Sequence, residues 1–230
     1  MTKPKIIFFD IDGTLVPLKE GIRPRTVEAL QKLRQNGIKL CIATGRAPME
    51  VPKFEGVSFD AFLTYNGSYC FTPEQDIFKN TIPTEEVATL IRNAAALGRP
   101  VALANTTRLT ANGSEPDLEE YFAIGGVELK IAEDFEEMAK GEIFQVLMGG
   151  REEEYPAILK DVTMQRSRRG GIGLWISFRP AAARGLPWKR CWSSMASPKP
   201  IAWRSEMATT IWRCLGLWAP VWLWAMPLRS

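Results

Sequence analysis

Residues 5–17 read KIIFFDIDGTLVP, and this stretch constrains the fold more than any other in the chain. Four apolar residues, Ile6 to Phe9, run without interruption into two aspartates, Asp10 and Asp12, with Gly13 and Thr14 directly behind them. A short continuous apolar run closed by turn residues reads as a strand buried on both faces, the habit of parallel sheets. A parallel sheet needs crossover helices, and the next residues supply one. Residues 23–36 predict a helix, with Pro24 suited to the first turn, Val27, Leu30 and Leu33 recurring at three-residue spacing, and Gly37 as the stop. Residues 38–43 (IKLCIA) predict a second strand ending in TGR, and residues 59–63 a third ending in TYNG. Strand, helix and strand with short connections make a right-handed βαβ unit, so the expected class is α/β with a Rossmann-like parallel-sheet core. In such sheets ligands gather beyond the carboxyl ends of the strands, where Asp10, Asp12, Thr44 and Asn66 all fall.

Residues two apart in a strand point to one face, so backbone extended past Phe9 aims Asp10 and Asp12 the same way. Two carboxylates that close repel, and each is protonated or needs a cation. A hard divalent ion with oxygen ligands, Mg2+ above all, meets that need. A metal-bound carboxylate facing a phosphate can also act as a nucleophile, because the ion screens the repulsion between the two anions. The alternative is that DIDGT is only a loop after a strand. The chain contains no histidine, which excludes histidine-based catalysis and histidine metal ligation.

From about Asn80 the pattern changes to a helix followed by a strand (TIPTEEVATLIRNAAALGRPVALA). Mixed α/β texture follows through Leu129–Ile131, DFEEMAKG and IFQVLMGG, then another helix in EEEYPAILKDV. This acidic stretch reads as a small α/β domain inserted after the third strand. The expected organisation is residues 1–80 as the N-terminal part of the core, 81–163 as the insert, and 164–230 as something else. Up to Gln165 the chain carries 18 basic and 25 acidic residues; from Arg166 it carries 11 basic residues and one acid, Glu206. All eight tryptophans lie between Trp175 and Trp224. Ordinary domain variation does not produce so sharp a break.

The motifs FFDIDGTL and IATGR resemble the first two motifs of the haloacid dehalogenase (HAD) superfamily of phosphatases, and TYNGS resembles the Asn-Gly turn of its Cof-type, sugar-phosphatase-like branch. The resemblance runs from Lys5 to about Val162, with the α/β insert standing where that branch carries its cap domain. It implies that Asp10 is a nucleophile forming an aspartyl-phosphate and that Asp12 protonates the leaving alcohol and later activates water. It further implies Mg2+ on the Asp10 carboxylate and the Asp12 carbonyl, and Thr44 on the transferring phosphoryl group. Gly45 would admit close backbone approach, and Arg46 and Asn66 would contact substrate, with a surface charge and a simple turn as their respective alternatives. The implied substrate is a small phosphorylated metabolite.

Two parts of that pattern are missing downstream: a lysine that neutralises phosphoryl oxygens, and an acidic GDGxND loop. Lys189 (PWKRCW) and Lys199 (SPKPIA) lack the lysine context, and Glu206 alone does not replace a pair of aspartates. Combining the last base of each codon with the first two of the next exposes a neighbouring frame. There, Met-Ala in AWRSEMATTIW forces Gly, Glu-Met permits only Asp or Asn, and the whole permits MAFGDGDNDM. LWISFRPAAARGLPWKRCW permits VDIIPAGGSKGTAMEKML, with its lysine straddling Ala183 and Arg184, and LWAPVWLWAMP permits VGTGVAMGNA. Three matches in family order point to a single-base slip near Thr163–Arg166, and TGG tryptophan codons then arise from ATG, GTG or CTG followed by G.

Other readings of the tail remain open: interfacial membrane binding by the uncharged, Trp-rich CLGLWAPVWLWAMPL, which is short for a span and contains proline, or nonspecific nucleic-acid contact. We expect neither a nucleic-acid nor a membrane partner, and exposed, this run is an aggregation hazard. A noncatalytic remnant that binds phosphate or a partner, and a phosphomutase, stay as alternatives for the whole chain. Charged Lys3 and Lys5 followed by only four apolar residues do not make a signal peptide. Four cysteines (Cys41, Cys70, Cys191, Cys214) without CxxC pairing, one of them inside an apolar strand, indicate a reducing cytoplasm.

Overall fold

A computed structural model describes residues 6–16, 21–163 and 175–178. The described residues form two compact units, one from 6–16, 21–46 and 52–79, the other from 47–51, 80–163 and 175–178. The cysteines at 191 and 214, Lys189, Lys199, Glu206 and most of the Trp-rich segment lie outside the described residues. Among those described, no helix is long and apolar enough to cross a membrane, and Cys41 and Cys70 are buried free thiols.

The first unit is a five-stranded sheet. Strand β1 (Ile6–Phe9) leads through helix α1 (Pro24–Gln35) to β2 (Lys39–Ala43), which pairs parallel to it with Phe9 opposite Ile42. Pro24 opens α1, Lys32 and Arg34 in its last turn complement the negative end of the helix, Leu30 is its buried anchor, and Gly37 leaves it at φ 74°. Strand β3 (Ala61–Thr64) pairs parallel to β2, with Ala43 opposite Leu63. The chain then adds an antiparallel hairpin, β4 (Tyr69–Phe71) and β5 (Asp76–Lys79), before leaving this unit. The sequence predicts no element between the third strand and Asn80, and this hairpin fills that interval. The hairpin strands are three and four residues long, too short for a period to register, and their turn is held by Thr72, whose N–H donates to the Gln75 carbonyl at 2.9 Å.

The second unit is an antiparallel sheet in the order β7-β6-β8-β9, with β6 at Val101–Ala104, β7 at Leu109–Ala111, β8 at Gln145–Gly149 and β9 at Trp175–Phe178. Helix α2 (Thr84–Ala96) presents Val87, Leu90 and Ala94 to Val101, Leu103, Val146 and Met148 of one sheet face. The short α4 (Phe135–Met138) and α5 (Tyr155–Ile158) close the same core, and α3 (Pro116–Gly125), ended by Gly126 at φ 67°, packs against β8 and β9. One local expectation changes here. The predicted helix in EEEYPAILKDV is only a 3₁₀ turn and one turn of α-helix, stopped where Asp161 turns left-handed at φ 59°. Leu129–Ile131, read from the sequence only as mixed α/β, contributes an isolated bridge, Ala111 with Ile131. Residues 175–178, expected in an aberrant tail, form the edge strand, with Val146 opposite Phe178 and Gly149 opposite Trp175. An edge position asks chiefly for β-formers such as Trp, Ile and Phe, whatever frame encodes them.

Candidate active site

The strand carrying Asp10 stops at Phe9, so the extended continuation expected from the sequence does not occur. The chain instead curls into a turn. Val16 donates to the Ile11 carbonyl at 2.9 Å, and Gly13, at φ 76°, donates to the Val16 carbonyl at 3.0 Å. Ile11 and Leu15 are buried beneath the turn, and this anchoring leaves Asp10 and Asp12 exposed on its outer side. Both acids face solvent with Ile11 buried between them, and the Asp12 charge is near enough to bear on Asp10.

Asp10 sits at the end of β1. One of its oxygens, Oδ1, accepts the Ile11 N–H at 2.9 Å. Its carboxyl pKa is nevertheless pushed up to about 6, mainly because the protein around it displaces water, with Asp12's charge adding to the effect and the Ile11 N–H and Arg46 opposing it. A carboxyl group with this character is one a cation would ionise. Asp12 is gripped by Arg46 through both oxygens, Nη2 to Oδ1 at 2.7 Å and Nε to Oδ2 at 3.1 Å.

Thr44 follows β2 on the same rim. It is buried, its N–H donates to the Leu63 carbonyl of β3 at 2.8 Å, and its hydroxyl oxygen accepts the Arg46 N–H at 3.2 Å. Accepting that bond leaves the hydroxyl proton available to donate. The residues after β3 complete the lacing: Asn66 donates its N–H to the Thr44 carbonyl and Tyr65 its N–H to the Arg46 carbonyl, both at 3.0 Å. Three successive residues there are left-handed, Tyr65 at φ 51°, Asn66 at φ 55° and Gly67 at φ 85°. For a buried tyrosine this is strained backbone of the kind that clusters at functional sites. Gly45 leaves room opposite this turn, since a Cβ on it would stand 3.1 Å from Asn66 Oδ1 and the asparagine side chain would have to give way.

All six residues singled out from the sequence thus lie in one unit, on one rim. Arg46, expected on substrate, has two nitrogens on Asp12. The left-handed stretch and the Arg46–Asp12 fork were not read from the sequence; TYNG signalled only a turn.

For a hard divalent ion the donors implied by the resemblance would be the Asp10 carboxylate and the Asp12 carbonyl, and no group of three acidic, Cys or His side chains forms a metal cage among the described residues. The set fits Mg2+, which binds through one or two carboxylates and fills the rest of its shell with water and substrate oxygens. The raised Asp10 carboxyl gives a checkable sign. Folded protein holds the Asp10 proton up to a higher pH than unfolded chain, so folding loses stability as pH rises through about 6. Without divalent metal, Asp10→Asn should raise the melting temperature above pH 6 and lose this advantage below pH 4, which a thermal-melt pH series measures.

Residues 7–169 match the family model of haloacid dehalogenase-like hydrolases, and the chain belongs to that family. The provisionally named phosphatase YkrA of Bacillus subtilis (strain 168) is 32% identical over 156 residues, covering 66% of this chain and 60% of the relative. The 5-amino-6-(5-phospho-D-ribitylamino)uracil phosphatase YitU of the same strain is 25% identical, covering 68% of this chain and 60% of its own. An HMP-PP phosphatase of Shigella flexneri serotype 5b (strain 8401) is 25% identical, covering 64% and 54%. Among solved structures, the HAD subclass IIB sugar phosphatase BT4131 aligns with a TM-score of 0.66 and 26% identity over 84% of this chain and 77% of that one. A Geobacillus kaustophilus HTA426 protein reaches 0.73 at 25% identity, over 85% and 77%. The chain spans 54–60% of the length of the curated relatives above.

Proposed function

We propose that the intact form of this protein is a Mg2+-dependent phosphatase acting in the cytoplasm on a small, sugar phosphate-like metabolite through an aspartyl-phosphate. The observation that carries this is the rim itself, with Asp10 and Asp12 on one exposed turn and the anchored Thr44–Gly45–Arg46 segment ending the adjacent parallel strand. The Asp10 carboxylate attacks phosphorus in line and the phosphorus–ester oxygen bond breaks. Asp12 delivers its proton to the departing alkoxide, then takes one from the water that splits the acyl phosphate. The Thr44 hydroxyl and the backbone at Gly45 hold phosphoryl oxygens, with Arg46 and Asn66 beside them. Bound Mg2+, on the Asp10 carboxylate and the Asp12 carbonyl, would screen the charge between nucleophile and phosphate. Names of relatives support small phosphorylated substrates, among them the ribitylaminouracil phosphate of YitU and the HMP-PP of the Shigella enzyme. Buried free thiols at Cys41 and Cys70 suit a reducing compartment.

The chain as written lacks two parts of this machinery. The family match ends at residue 169, close to where the charge balance reverses after Gln165, and both agree with a frame slip near Thr163–Arg166. Each electrostatic group of this kind, removed alone, costs about 10²–10³ in rate, so a chain without the lysine and the acidic loop retains little activity. Residues 1–80, 81–163 and 164–230 then correspond to the first half of the core, the cap, and a displaced reading of the second half. The test is p-nitrophenyl phosphate turnover by two chains, this one and one restored by a single base at codons 163–166. We expect Mg2+-dependent turnover from the restored chain and background from the other. Robust Mg2+-dependent turnover by the chain as written would overturn the impairment, and none by the restored chain would overturn the phosphatase reading.

A further inference from the structure

We propose that Arg46 is a positioning residue that holds the carboxyl group of Asp12 in place, an assignment that rests on the phosphatase reading and refines it. Among the described residues, the hydrogen bonds to the Asp12 carboxylate come from Arg46 alone, and they take the forked form, 2.7 Å and 3.1 Å on separate oxygens. Two parallel bonds from a planar guanidinium fix a carboxylate's plane as well as its distance. The fork is itself anchored. The Arg46 N–H donates to the Thr44 hydroxyl at 3.2 Å, and the Arg46 carbonyl accepts from Tyr65 at 3.0 Å. Tyr65 is fully buried, so the rim formed by the ends of β2 and β3 carries the arginine as a rigid mount.

Asp12 needs such a mount. Its side chain is 55% exposed, and the residue after it is Gly13 at φ 76°, in a tight turn. A short acidic side chain in that setting, freed of its partner, spreads over rotamers. Proton transfer to and from a reacting oxygen requires hydrogen-bond reach, and a misplacement of about 1 Å costs about 10²-fold. Arg46 thus acts through Asp12, in addition to any contact with the phosphate. A residue that only bound phosphate would change KM whatever stood at position 12.

The test is a double-mutant cycle in the frame-restored chain, measuring kcat and KM for an alkyl phosphate. We expect Arg46→Gln to lower kcat about ten- to a hundredfold when Asp12 is present. In the Asp12→Asn background the same change should cost less than about threefold, because the interaction it removes is already gone. Arg46→Lys, which keeps the charge but cannot fork, should lower kcat with KM within about twofold of the parent, and it serves where the Gln variant does not fold. Equal kcat losses in both backgrounds, or a loss confined to KM, would overturn the assignment while leaving the phosphatase reading intact. An inactive parent chain would sink both.

Discussion

Asp10→Asn in the frame-restored chain is expected to abolish Mg2+-dependent phosphatase activity, with kcat falling by about 10⁵-fold or more. An amide is not a nucleophile toward phosphorus, so no acyl phosphate forms, and it offers a cation a neutral oxygen in place of a charged one. The substitution is sterically quiet. The amide oxygen can still accept the Ile11 N–H that Asp10 Oδ1 accepts at 2.9 Å, and the side chain stands on the exposed side of its turn. Since the native carboxyl is held at about 6 by its surroundings, the neutral amide is the less costly group there without metal. A folded, stable and inactive variant is therefore the predicted phenotype. Steady-state turnover beside circular dichroism measures both halves, and activity within about a hundredfold of the parent would remove Asp10 from the chemistry.

Arg99→Leu is expected to destabilise the second unit by about 1–3 kcal/mol, the cost of leaving part-buried carboxylates without their charged hydrogen-bond partner. Arg99 lies just before β6 and is 15% exposed. Its Nη1 bonds Glu115 at 2.8 Å and Asp117 at 3.2 Å, and its Nη2 bonds Glu154 at 2.9 Å. One guanidinium thus ties the start of α3 to the turn before α5. These contacts raise the Arg99 pKa above its ordinary value, through the Glu115 and Glu154 bonds working against burial. Removing Arg99 leaves three carboxylates facing one another, and Glu115 already has one buried oxygen, Oε1, with no hydrogen-bond partner among the described residues. Hydrogen exchange should show α3 and β8 amides losing protection first. Arg99→Lys should lose less, since it keeps the charge but not the fork. The pH dependence has a definite sign. The Glu154 carboxyl is held below its usual range, chiefly by the Arg151 N–H and then by Arg99. Its stabilisation is present above the unfolded-state pKa and lost as pH falls, so wild type and Arg99→Leu should converge under acid. A difference below about 1 kcal/mol at pH 7 would show that the cluster is no more than a surface ion-pair network.

Much of the first unit could be read from residue order, and the reason is local. β1, α1 and β2 each carry their own signal: a continuous apolar run, three-residue spacing, a terminal glycine. The rim then follows from strand polarity alone, and Asp10, Asp12, Thr44, Gly45, Arg46 and Asn66 fall on it together. What escaped the sequence depends on distance or on backbone shape. Arg99 meets partners 16, 18 and 55 positions away, which no spacing rule connects. Asp12 meets Arg46 across 34 positions, on a turn whose form is set by the burial of Ile11 and Leu15. The hairpin β4–β5 is too short to show alternation, and Tyr65, whose N–H bonds the Arg46 carbonyl, holds a left-handed backbone that tyrosine does not favour. The break after Gln165 was visible because it is a change of composition, a global property that needs no structure to detect.

The most direct measurement is the location of the phosphoryl group during turnover. Frame-restored chain turning over a radiolabelled phosphate monoester with Mg2+, quenched in acid and digested, should carry its label on the peptide containing residues 6–16, at Asp10. Label on any other residue, or steady turnover with none bound to protein, would contradict the account.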